Sequence, residues 1–104
     1  MTTKYVYNTT WTLDNVVNYI VTNGTSYIIV PATEKINGRS FTITVKGDST
    51  QMKFAGGEKM IPANNKISDA KTDTTSYWYL DGNVGRRYTY VADVNGWFEE
   101  ILTN

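Results

Sequence analysis

From Gly24 onward the chain alternates apolar and polar residues with a period of two, the signature of half-buried strands. Ser40 to Lys46 shows it most cleanly, with Phe41, Ile43 and Val45 on one side and Thr42, Thr44 and Lys46 on the other. Thr50 to Ala55 continues it with Met52 and Phe54, and Gly47-Asp48-Ser49 between the two runs predicts a hairpin. Ser26 to Val30 reads as a strand stopped by Pro31, and Lys59 to Ile61 as a short one stopped by Pro62. Thr74 to Leu80, Arg86 to Ala92 and Trp97 to Leu102 read as aromatic strands. Asp81 to Gly85 joins the first two, and a type I′ turn at Asn95-Gly96 precedes the third. The polar stretch from Ala63 to Asp73 reads as a surface loop anchored by Ile67.

Thr12 to Thr22 has a different rhythm. Leu13, Val16, Val17, Ile20 and Val21 fall on one helical face, with Thr12 as N-cap and Gly24 as stop. The expected architecture is a single domain over residues 1–104. It is an antiparallel β-sandwich or open barrel of six or seven strands, with one short N-terminal helix and no internal repeat. Its core is expected to include Ile28, Val30, Phe41, Ile43, Val45, Met52, Phe54, Trp78, Leu80, Val91, Trp97 and Ile101.

Composition narrows the function classes. Ten basic and ten acidic residues cancel among 104, without a basic stripe for nucleic acid or anionic lipid. Histidine and cysteine are absent, which removes the commonest general base, the commonest metal ligand and any disulfide. The one adjacent carboxylate pair, Glu99-Glu100, would point to opposite faces of a strand. Asp93-Val-Asn95-Gly96 fails as a calcium loop, because its twelfth position would be Leu102. A binding or structural module is therefore expected, not an enzyme, with no cofactor and no metal. Met1-Thr-Thr-Lys4-Tyr5 lacks the regions of a signal peptide.

The aromatic residues are the richest signal, with eight Tyr and three Trp. Tyr77 and Tyr79, then Tyr88 and Tyr90, alternate along two strands, with Arg86 and Arg87 beside the second pair. Such rings fill a core, stack on sugars or meet a protein partner. On the last strand, Phe98 and Leu102 lie opposite Trp97 and Ile101 and are expected to anchor an interface.

The stretch from Tyr27 to Ile101 resembles a β-rich module of tailed-phage virion proteins. The matching pieces are Tyr27-Ile-Ile-Val-Pro31, Asn37-Gly38-Arg39, Phe41-Thr-Ile43, Asp48-Ser-Thr50, Gly56-Gly57, Met60-Ile61, Tyr77-Trp78-Tyr79-Leu80 and Gly96-Trp97-Phe98. The connection from Asp81 to Asn95 is longer than in that pattern. The resemblance implies a virion location, a capsid or other virion protein as partner, and a homo-oligomer, a trimer foremost. Lacking a stalk, the chain looks like a capsid auxiliary protein of a large tailed phage such as a crAss-like one. The alternative implied is a fibre-tip module that binds a host glycan.

Overall fold

The computed structural model describes residues 3–7, 10–14, 16–22, 27–47, 49–63 and 78–103. Ten strands lie within them: β1 (Thr3–Val6), β2 (Thr10–Thr12), β3 (Asn18–Val21), β4 (Tyr27–Val30), β5 (Ser40–Val45), β6 (Thr50–Phe54), β7 (Lys59–Ile61), β8 (Trp78–Leu80), β9 (Gly85–Val91) and β10 (Gly96–Thr103). They form a six-stranded sheet, β1-β3-β5-β9-β10-β7, and a four-stranded sheet, β2-β4-β6-β8. The two sheets share one core. The fold is mainly β and sandwich-like, as the alternation predicts.

The path of the chain differs from a sandwich of hairpins. From β1 to β6 every connection carries the chain to the other sheet. β1, β3 and β5 therefore pair in parallel, as do β2, β4 and β6. The result is a two-sheet coil of three turns. Thr3, Asn18 and Thr42 lie side by side in one sheet, and Thr10, Tyr27 and Gln51 in the other. A repeat is present, but its turns have unequal length. The segment from Pro31 to Arg39, with its 3-10 turn Ala32–Glu34, widens the passage into the third turn and hides the period.

The sheets are accordingly mixed. Antiparallel pairing is confined to β9 with β5 and β10, and to β8 with β6. The hairpin expected between Ser40 and Ala55 is instead an arch, with β5 in one sheet and β6 facing it in the other. Alternation is the same in both arrangements, because Phe41, Ile43, Val45, Met52 and Phe54 point into the core either way. The last two strands do form a hairpin. Its turn is a 3-10 turn, Ala92–Val94, closed by Asn95 in the left-handed region at φ 48°, rather than a two-residue type I′ turn. Gly96 then opens β10. A Cβ there would lie 2.8 Å from Ile61 Cδ1, so close packing of β7 and not an unusual φ requires the glycine.

The helix expected from Thr12 to Thr22 does not form; β2, a short connection and β3 occupy that stretch. Tyr19 and Val21 are buried while Asn18 and Ile20 between and beside them are half-buried, a period of two along β3. β-branched Val16, Val17, Ile20 and Val21 lose rotamer freedom in a helix and fit a ladder. Val21 completes a buried row with Val6 and Val45. Gly24, the expected stop, lies outside the described residues, as does the expected loop beyond Ala63 with Ile67.

Six rings join the sheets. Phe54 of β6 stacks on Trp97 of β10 at 5.6 Å and 5°. Phe41 stands edge-on to Trp97 at 5.2 Å, and Tyr19, Tyr88 and Tyr90 close the cluster. Each such pair adds roughly 0.5–1.5 kcal/mol beyond its area burial. Nine of the expected core residues are buried, and Trp78 packs against them. Val91 and Ile101 are corrections. Register pairs Tyr90 with Trp97, which turns Arg86, Tyr88 and Tyr90 inward and Val91 outward. Ile101 shares that inward side but lies past the end of the core and is 45% exposed.

Candidate functional site

The structure separates the residues that sequence alternation brings together. β8 and β9 belong to opposite sheets, so Tyr79 cannot share a surface with Tyr88 and Tyr90. Tyr79 is 72% exposed, whereas Tyr88 and Tyr90 are core residues at 0% and 4%. Tyr77 lies outside the described residues. Arg86 is buried, and Arg87, half-buried on the outer face, pairs with Glu100 at 3.6 Å. Phe98 is half-buried between Thr89 and Ile61. Leu102 is exposed at a bulge, where Ile101 and Thr103 face the consecutive residues Arg86 and Gly85.

Among the described residues, buried and half-buried polar side chains form three networks. In the first, Tyr88 donates its hydroxyl to Glu99 at 2.7 Å, Arg86 Nε stands 3.5 Å from the same carboxylate, and the Ala63 amide donates to its other oxygen at 3.2 Å. Burial, then the Glu99 charge, push the Tyr88 hydroxyl well above the ordinary tyrosine range. A cleft of about 340 Å³ opens beside this network, lined by Ala63, Glu99, Glu100 and Ile101. In the second, Trp97 Nε1 donates to buried Glu58 at 3.2 Å, while Glu58 Oε1 has no hydrogen-bond partner. That oxygen lies against Gly56, where a Cβ would stand 2.3 Å from it.

The third network holds the coil together. The Asp14 carboxylate accepts from Lys4, from the Tyr19 hydroxyl at 2.6 Å and from the Val16 amide at 3.2 Å. Arg39 spends every nitrogen of its guanidinium beside it. Nε donates to Glu34 at 2.8 Å, one terminal nitrogen to the Ser40 carbonyl at 2.8 Å, and the other to the Asp14 and Val16 carbonyls at 2.9 and 3.0 Å. Its charge lies 5.5 Å from the Phe41 ring centre. Gly38, at φ 85°, makes the turn that delivers it. The Asn37-Gly38-Arg39 motif thus has a structural role: it ties the 3-10 turn and the β2–β3 connection to β5.

Asp14 supplies a pH signature. Partial burial pushes its carboxyl upward, but the hydrogen bonds from Lys4, Tyr19 and Val16 outweigh this and bring it to about 2. A carboxylate depressed in the folded state stabilises fully above its unfolded value near 3.8. That contribution fades as pH falls toward 2. The melting temperature is expected to drop between pH 4 and 2, and Asp14→Asn to flatten that part of the profile. Thermal melts across this window, followed by circular dichroism, check it.

Among the described residues no group of three or more potential metal ligands occurs. No helix among them is long and apolar enough to cross a membrane. Large apolar side chains instead stand on the outside. Tyr5 and Tyr7 are 60% and 68% exposed at the first turn of the coil, and Ile101 and Leu102 project at the end of β10. On the outer face of the four-stranded sheet, Tyr27, Gln51 and Tyr79 occupy one row across β4, β6 and β8. Sequence reasoning missed Tyr5, Tyr7 and the Tyr27–Tyr79 row. The row depends on strand order, which alternation does not encode. No family model, curated protein or solved structure matches the chain.

Proposed function

We propose that this chain is a structural subunit of a tailed-phage virion, an auxiliary or decoration protein seated on the capsid surface. The observation that supports it is the distribution of side chains. Most buried polar groups are engaged in holding the coil, while large apolar residues face outward at strand ends and on a sheet face. Such a surface works by burial and strand pairing and needs no turnover. The capsid protein is the partner, and self-association of the subunit belongs to the same reading. Mass spectrometry of purified virions is expected to detect the chain in fixed stoichiometry to the capsid protein. Capsids assembled without it should lose an outer density and soften at lower temperature. Virions that lack the chain altogether would end this reading.

A second reading has one observation in its favour. The Tyr27–Gln51–Tyr79 row offers two rings flanking an amide, the combination that stacks on and hydrogen-bonds to a sugar chain. A glycan array separates the two. Binding that Tyr79→Ala abolishes supports a glycan-binding fibre-tip module, and no binding at millimolar sugar favours the capsid subunit.

A further inference from the structure

We infer that two copies of this chain pair edge to edge through the first turn of the coil, β1 with β1 and β2 with β2, about a single two-fold axis. β1 ends the six-stranded sheet and β2 ends the four-stranded one, and both lie at the same end of the coil. Among the described residues, neither has a strand on its outer side. A two-fold axis running through both sheets would therefore extend both at once, each by an antiparallel pair.

The two ends of the molecule are finished differently. At the far edge of the six-stranded sheet β7 carries Lys59 and runs into Pro62, features that discourage pairing. At the near end β1 and β2 contain no proline, and their single charge, Lys4, is turned inward to Asp14. In the six-stranded sheet, one receptive edge and one protected edge favour a closed pair over a head-to-tail filament. They also disfavour a three-fold arrangement, in which each receptive edge would need a different surface to meet. The zero net charge opposes nothing. Overall extents of 33 × 27 × 24 Å give an end face several hundred Å² of footprint, approaching the ~800 Å² per partner of a stable interface.

Face parity restricts the register. The axis keeps the outer face outward, so each residue must oppose one of the same parity. Centring the pair on Tyr5 sets this ring beside its own counterpart and places Tyr7 opposite Thr3 of the other copy. It also sets Lys4 opposite Val6 rather than its own like charge. Tyr5 and Tyr7, the exposed rings on and beside β1, are then covered together.

The absence of cysteine makes the test direct. A Tyr5→Cys variant should form a disulfide-linked dimer as its main product on mild oxidation, because directly opposed strand positions approach disulfide spacing. Tyr79→Cys, more exposed still but on the other sheet's face, should not. Light scattering should give the dimer mass for the native chain at high micromolar concentration. The double variant Tyr5→Lys with Thr12→Lys should give the monomer mass with an unchanged circular dichroism spectrum, since both side chains are exposed. A monomeric or trimeric native chain would overturn the inference. So would a dimer that survives the double variant, or one in which Tyr79→Cys cross-links as readily as Tyr5→Cys. None of these outcomes depends on whether the chain is found in virions.

Discussion

Trp97→Ala is expected to cost about 4 kcal/mol, a large share of the stability of a domain of this size. Trp97 is completely buried, stacked on Phe54 and bordered by Phe41 and Tyr90. Removing it opens a cavity at the place where the two sheets meet. It also takes away the indole N–H that donates to Glu58, leaving that buried carboxylate with neither oxygen partnered. Trp97→Phe separates the two effects. It keeps a ring against Phe54 and loses the donor with only part of the buried volume, so a smaller loss of about 1–3 kcal/mol is expected. Urea denaturation of both variants measures the difference. A Trp97→Ala loss below about 2 kcal/mol would contradict the packing described.

Arg39→Ala is expected to cost about 3 kcal/mol, because it leaves buried groups without donors rather than merely losing a surface pair. The Arg39 and Glu34 side chains are 13% and 15% exposed. The variant strands the Glu34 carboxylate and takes a donor from the carbonyls of Val16, Ser40 and Asp14, the last of which keeps the Tyr19 hydroxyl. Arg39→Lys is expected to recover little. An ammonium supplies one point of charge, whereas these acceptors are met by a planar fork. A double-mutant cycle with Glu34→Ala isolates the ion pair from the backbone contacts. If Arg39→Lys matches the native midpoint, the multi-point anchoring described for this residue is wrong.

Much of the fold was legible in side-chain alternation. Ile28, Val30, Phe41, Ile43, Val45, Met52 and Phe54 face the core because period two fixes which side of a strand is buried. Alternation does not say which strand lies next door. An arch and a hairpin present the same pattern, so Ser40 to Phe54 could not reveal that its halves belong to different sheets. The stretch from Leu13 to Val21 satisfied helical spacing, yet the ladder with Val6 and Val45 decided its state. The candidate site was the least legible part. Arg86 reads as a surface charge until Trp97 sets the parity of its neighbour strand. Arg86, Tyr88 and Glu99 then converge on the inward side. Tyr27 and Tyr79 stand in one row only because β6 lies between β4 and β8.

The order in which the strands are laid down sets when this molecule becomes a molecule at all. Each pairing within the coil joins segments a full turn apart, and β5 and β7 are bridged only by the hairpin β9–β10 at the far end of the sequence. During synthesis the first three turns emerge with Phe41 and Phe54 still lacking the Trp97 ring that completes their contacts. Folding is therefore expected to wait for the last strand and to be slow, in the range of milliseconds to seconds typical of non-local β pairing. A ribosome-tethered chain ending before Gly96 would remain open to proteases that the finished domain resists.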